Sequence, residues 1–215
     1  MEIKNKDFVE IEYTGKIKEM DLIFDTTDEA TAKKEKIYNE KMNYGPVVVC
    51  IGEKHLLPGL DRKIEGIETG KEYEFDLKPE EAFGKKSASM LKLVPARIFK
   101  EQKIVPMPGL EINVDGMPGI IRTANGGRII VDFNHPLSGK ELVYKIKINK
   151  KIEDPKEKIE AVLSIELNIK NIKVEKENES EKFTIKGKIP KNFEETIKER
   201  IMSLIPEVKE LEFKE

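Results

Sequence analysis

The chain has 215 residues, enough for more than one compact core. Its 39 basic and 41 acidic residues cancel to a formal net charge of -2, so the basic excess that neutralises phosphates is missing and no nucleic-acid partner is expected. Residues 1–7 lack the apolar core of a signal peptide, and no run approaches the ~20 apolar residues that span a bilayer, so a cytoplasmic protein with no membrane partner is expected.

Lys and Glu dominate the charged residues, a balance suited to surface ion-pair networks in proteins from hot environments. The single cysteine, Cys50, lies in the apolar run Val47-Val48-Val49-Cys50-Ile51. It cannot form an intrachain disulfide and reads as a small buried hydrophobe in a reduced compartment.

In chain order, Val9, Ile11 and Tyr13 alternate with Glu10 and Glu12, a period of two that predicts a strand with one wet face, closed by Thr14-Gly15. Leu22-Ile23-Phe24 and Val47 to Ile51 predict two further strands, and Tyr73, Phe75 and Leu77 a fourth. Ala30 to Asn39 reads equally well as a helix or a solvated excursion. After Pro58-Gly59, Leu60, Ile64 and Ile67 recur at helical spacing, and Gly70 stops the segment.

Beyond the turn Pro79 to Gly84, proline and glycine density rises, and the short runs Ala96 to Phe99, Gly119 to Ile121 and Arg128 to Phe133 predict a small all-β module. Leu142, Tyr144, Ile146 and Ile148 alternate with Lys145 and Lys147, a long strand assigned back to the first domain. From Glu153-Asp154-Pro155 onward a separate α+β domain is expected: a helix to Leu163, an alternating run Ile165, Leu167, Ile169, a polar turn around Glu177 to Glu179, a strand Phe183 to Ile189, a helix with Phe193, Ile197, Ile201 and Leu204 on one face, and a strand Val208 to Phe213. The edge of the Ile165 to Val174 run could pair two copies across a two-fold, making a homodimer.

No Gly-rich phosphate loop and no cysteine cluster is present, and His55 and His135 stand far apart. No cofactor and no metal site is expected, and both histidines read as non-catalytic. Asp25 follows Leu22-Ile23-Phe24 and precedes Thr26-Thr27, where an Asx-type turn and a binding role compete.

Val9-Glu10-Ile11-Glu12-Tyr13-Thr14-Gly15 followed by Leu22-Ile23-Phe24-Asp25-Thr26-Thr27 resembles the opening strand pair of the FKBP-type prolyl isomerases. Ile51-Gly52 and Leu56-Leu57-Pro58-Gly59-Leu60 are similar to that family's strand and central-helix entry, and Pro79 to Gly84 to its acidic-aromatic-Gly turn. Asn134-His135-Pro136-Leu137-Ser138-Gly139-Lys140-Glu141-Leu142 resembles the segment that resumes the domain in SlyD-like members with an insertion in the flap. The resemblance covers about residues 4–150 and is to a long, archaeal-type arrangement.

It implies a multidomain α+β, β-rich fold: an antiparallel half-barrel sheet around a short helix over 1–85 plus 133–152, an inserted small β domain over 86–132, and a C-terminal α+β domain over 153–215. It implies a peptidyl-prolyl cis/trans isomerase acting on unfolded or nascent polypeptides that contain proline, with the insert as a folding chaperone; the alternative is a non-catalytic holdase on the same scaffold. The positions matching catalytic residues are Tyr13, Asp25 and Phe83, and those matching the substrate walls are Phe24, Val47, Leu56, Leu57, Leu60 and Tyr144. The N–H near Leu57 would hold a substrate carbonyl. Leu60 stands where many relatives place tryptophan, and Phe83 where a tyrosine is common.

Rotation about X-Pro faces a barrier of roughly 20 kcal/mol because twisting costs amide resonance. An apolar pocket lowers it by stripping water from the planar amide and binding the twisted form better, without a nucleophile or metal.

Overall fold

The computed structural model describes residues 1–169, 172–177 and 181–214. They form two compact units, one of Met1–Leu77 with Glu141–Glu215 and one of Lys78–Lys140.

The first unit opens with β1 (Phe8–Ile17), β2 (Leu22–Thr26), a short helix α1 (Glu29–Lys34), β3 (Val47–Cys50), α2 (Pro58–Ile64) and β4 (Lys71–Leu77). Asp28 caps α1 by accepting from the Thr31 amide at 2.7 Å. The helix stops at Glu35, so the two readings of Ala30 to Asn39 divide the segment between them. Pro58 starts α2, where its missing N–H costs nothing, and α2 turns Leu60 and Ile64 inward.

The second unit holds β5 (Leu91–Pro95), α3 (Ala96–Glu101), β6 (Glu111–Val114), β7 (Met117–Asn125) and β8 (Arg128–Asp132). Its antiparallel sheet has the order β5-β8-β7-β6. The run Ala96 to Phe99, read from sequence as strand, is helix: Pro95 leads in at φ -63, an Arg97–Glu101 pair spans one turn, and Phe99 enters a core with Val94, Ile121, Ile129, Val131 and Phe133. The boundaries of this unit lie further out on both sides than the 86–132 expected of the insert.

The chain returns to the first unit through β9 (Leu142–Ile152), which lies between β1 and β4 and pairs antiparallel with both. Lys145 and Lys147 occupy its wet face and pair across strands with Glu72 at 2.8 Å and Glu12 at 3.2 Å. On the opposite face Tyr144, Ile146 and Ile148 are buried. On the edge of β1 away from β9, β2 and β3 follow one another end to end.

Then come α4 (Pro155–Leu167), β10 (Lys173–Lys176), β11 (Lys182–Lys186), α5 (Lys191–Leu204) and β12 (Glu210–Lys214). β11 pairs antiparallel with β10 and parallel with β12. The alternating run expected to be a strand is divided: Ile165 and Leu167 end α4, which stops at Asn168 in the left-handed region. Ile159, Leu163 and Leu167 repeat every four residues on the buried side, so helical spacing outweighed the local period of two. The polar turn expected around Glu177 to Glu179 lies mostly outside the described residues.

Residues 153–215 do not stand apart from the first sheet. Phe8, Cys50 and Ile152 share one buried cluster with Ile159, Val162, Leu163, Ile201 and Leu204. This explains the unbroken apolar run of β3. Val47 pairs with Ile11 on the inner face of the sheet, while Val48 and Cys50 turn toward the C-terminal helices.

Candidate functional site

On the inner face of the first sheet, Ile11, Tyr13 and Gly15 follow one another at every second position of β1. Gly15 lies opposite Tyr144 of β9, and Tyr144 opposite Phe75 of β4. Between Gly15 and Lys16 the β1–β2 pairing slips: Asp25 faces Gly15, Ile23 faces Lys16, and Phe24 is the extra residue. A regular strand would send Phe24 and Asp25 to opposite faces, but the bulge re-aims them. Phe24 meets the Tyr144 ring edge-on at 5.9 Å, and Asp25 meets Tyr13, whose phenol donates to Oδ2 at 3.0 Å.

Tyr13 and Tyr144 lie 6.0 Å apart, completing a cluster of three rings and one carboxylate. Gly15 makes the cluster possible, because a Cβ there would stand 2.9 Å from Phe24 Cζ and from two Tyr144 ring carbons. The Tyr13 backbone is fixed from the end of β2: the Thr27 amide donates to its carbonyl at 2.9 Å, and its own amide donates to Thr27 Oγ1 at 2.9 Å.

Burial raises the Asp25 pKa above the ordinary carboxylate value, while hydrogen bonds from Tyr13 and the Thr26 amide partly oppose the rise. Burial also raises both phenols, and the nearby Asp25 charge adds to it. Tyr13 therefore stays a protonated donor. The face thus offers apolar walls and one partly desolvated carboxylate, an arrangement that binds and orients a neutral group.

Of the positions carried by sequence resemblance, Tyr13, Phe24, Asp25 and Tyr144 come together here. Val47 joins the same face through its register partner Ile11, two residues before Tyr13. Leu56 and Leu57 are half-buried in the segment leading into α2, where Leu60 is 2% exposed. Phe83 belongs to the other compact unit, where its ring stacks on His135 at 4.3 Å and its carbonyl accepts from Ser138 Oγ at 2.9 Å. Sequence reasoning did not place Gly15 and Phe75 beside this cluster, where both are register partners of Tyr144. The glycine of the Tyr-Thr-Gly run was visible, but only the cross-strand register shows that it faces an aromatic ring.

His55 is no base on this face: its Nδ1 accepts from the Cys50 amide at 3.0 Å. Burial pushes the Cys50 thiol up to about 12, so it is inert as a nucleophile. Among the described residues, no helix is long and apolar enough to cross a membrane.

The fold is a sheet domain interrupted in the chain by a second β unit, with a cluster of three rings and one carboxylate as its candidate binding face. Residues 92–137 match the family model described as FKBP26, IF domain. The chain is 32% identical over 147 residues to the short-type peptidyl-prolyl cis-trans isomerase of Methanocaldococcus jannaschii, covering 68% of this chain and 92% of that protein. It is 33% identical over 110 residues to the FKBP-type 16 kDa peptidyl-prolyl cis-trans isomerase of Escherichia coli, covering 49% and 74%. To the FKBP-type peptidyl-prolyl cis-trans isomerase SlyD of Haemophilus influenzae it is 31% identical over 106 residues, covering 48% and 56%. The chain belongs to the FKBP-type peptidyl-prolyl cis-trans isomerase family, as a SlyD-like member with an insert-in-flap domain.

Proposed function

We propose that this isomerase accelerates X-Pro rotation in unfolded, partly folded or nascent polypeptides of the cytoplasm, and holds those chains through its inserted domain. The observation that carries the catalytic half is the Tyr13–Asp25 hydrogen bond set among the Phe24 and Tyr144 rings. A prolyl ring on this face loses its water, and the twisted amide, whose charge separation is smaller, loses less by desolvation than the planar one. The Leu57 amide and the Asp25 rim orient the flanking carbonyl and side chains. Phe83 remains a proposed catalytic position on the strength of its match to the family's acidic-aromatic-Gly turn.

The holding role is supported by apolar surface in the second unit. Leu91, Leu93, Val105, Met107, Met117 and Ile130 are exposed large hydrophobics. A groove of about 620 Å³, with Met90, Ile112, Met117, Ile120 and Phe133 among its lining residues, offers adaptable contact area. Edge strand β10 supports pairing of two copies through the C-terminal sheet. A monomeric mass by light scattering removes that part of the reading.

The test compares a proline tetrapeptide with a protein whose refolding is limited by proline isomerisation, using the intact chain, Asp25→Ala and a version lacking 86–132. The reading expects Asp25→Ala to slow both substrates and the deletion to slow the protein far more than the peptide. Uncatalysed exchange by the intact chain, with aggregation still suppressed, would instead make it a holdase.

A further inference from the structure

The segment 52–57 carries the chain from β3 into α2 through a tight turn, with Gly52 at φ 83 and Lys54 at φ 63. It is anchored from within the sheet domain by the Gly52 amide donating to Asp61 Oδ1 at 3.1 Å, and by the bond from the Cys50 amide to His55 Nδ1 at 3.0 Å. Because Nδ1 accepts, Nε2 carries the imidazole hydrogen and faces Glu166 Oε1 of α4 at 3.4 Å.

Arg200 of α5 closes the arrangement. Its Nε donates to Glu166 Oε1 at 2.9 Å, its Nη1 to Glu53 Oε2 at 2.8 Å, and its Nη2 reaches the Glu53 carbonyl at 3.5 Å. The side chains of His55, Glu53, Glu166 and Arg200 are 3%, 17%, 25% and 32% exposed. Charge-assisted bonds this far out of water, made by a planar guanidinium fork, hold geometry better than exposed ion pairs do.

The fork grips the segment itself, through the side chain and backbone of Glu53, just before the two leucines of the substrate wall. The shared apolar core already joins the C-terminal helices to β3, so this grip adds control over a loop that the core does not reach. A donor amide contributes to catalysis only if it is held close to the productive distance and angle.

We infer that Arg200 and Glu166 are positioning residues for prolyl isomerisation, holding the 52–57 segment so that the Leu57 amide meets the substrate carbonyl and making the C-terminal helices part of the isomerase. The inference rests on the proposed contact between Leu57 and substrate.

The experiment measures kcat/KM of the full chain on a proline tetrapeptide, a substrate too short to depend on holding by the insert. Arg200→Ala and Glu166→Gln each lower kcat/KM about three- to tenfold, the size of one weakened hydrogen bond. Arg200→Lys, which keeps one ion pair, falls between Arg200→Ala and the parent. Ile205→Val, a substitution in the same C-terminal core, lowers the thermal midpoint and leaves kcat/KM unchanged.

Leu57→Pro deletes the amide hydrogen at a residue whose φ of -59 suits proline. On that background Arg200→Ala costs nothing further. The Leu57 amide resonance also shifts when the peptide is added to the parent chain. If Leu57→Pro is slow and that resonance shifts, but Arg200→Ala, Glu166→Gln and the parent turn over equally, the positioning role is overturned while the site reading stands. If Leu57→Pro keeps full activity and its resonance is unmoved in the parent, the site reading fails and the inference with it. Equal loss of kcat/KM in Ile205→Val and Arg200→Ala reduces the effect to stability and also overturns the proposal.

Discussion

Tyr13 donates its phenolic hydrogen to Asp25 across the β1–β2 pair at 3.0 Å, and both groups have pKa values raised chiefly by burial. Burial thus works against the ionised Asp25 carboxylate on the inner face, so carrying that charge comes at a cost to folding. A folded-state pKa above the unfolded value means that the folded chain binds the proton more tightly, so stability falls as pH rises through that window.

Asp25→Asn removes that cost while keeping an acceptor for Tyr13. The expected result is a thermal midpoint above that of the parent at neutral pH, with kcat/KM on a proline peptide about five- to tenfold lower. A midpoint below the parent's, measured by calorimetry, would show that the charge stabilises the fold instead.

Gly15→Ala places a methyl 2.9 Å from Phe24 Cζ and from the Tyr144 ring. The rings must move, at a cost of about 1–3 kcal/mol. Urea midpoints and peptide kcat/KM should fall together. Loss of stability with unchanged turnover would mean that the ring positions do not matter to catalysis.

In the second unit, Asp132 is 5% exposed and accepts from Arg122 at 2.8 Å and from the Asn134 side chain at 2.8 Å. Burial alone would raise its pKa, but hydrogen bonds from Asn134 and Arg122 outweigh burial and hold it at about 2. A depressed carboxylate stabilises the fold above its unfolded pKa, and this contribution is lost as pH falls from about 4 through about 2. With Arg122 half in water, the contribution is about 1–2 kcal/mol. Asp132→Asn should weaken the second unit by that amount at pH 7 and flatten its acid unfolding between those limits. An unaltered acid limb, followed by circular dichroism, would rule out Asp132 as its source.

Ile201 is fully buried in the cluster that also contains Cys50. Ile201→Ala should cost about 2–4 kcal/mol. The Cys50 thiol, pushed up to about 12 in the folded chain, should become open to alkylation in the same transition in which α5 melts. Alkylation in a separate, later step would show that the sheet outlasts the helices.

Much of this molecule was legible in one dimension. The alternation of Val9 to Tyr13 and of Leu142 to Ile148 is the period of a strand with one wet face, and β1 and β9 follow it. Pro58-Gly59 with Leu60 and Ile64 gave the central helix, because its spacing and its start signal agree. The aromatic and acidic positions Tyr13, Phe24, Asp25 and Tyr144 are picked out by the resemblance of their motifs to the FKBP family, since residue type alone reads the rings as core and Asp25 as a turn residue. Ile165, Leu167 and Ile169 misled, because a period of two coincided with the end of a helix whose period of four was equally present.

Sequence by itself determined the strand period and the central helix, since residue type and local period are properties of the chain, and the order of its motifs carried the family resemblance from which the wall and rim positions are proposed. Only the tertiary structure decided that the consecutive Phe24 and Asp25 share one face, because a bulge is set by pairing with β1 and leaves no local signal. It also decided that β3 is covered on both sides and that Arg200 reaches back across the chain to Glu53. Register, bulges and long-range ion pairs depend on which distant segments meet, and that meeting is fixed by the shared core.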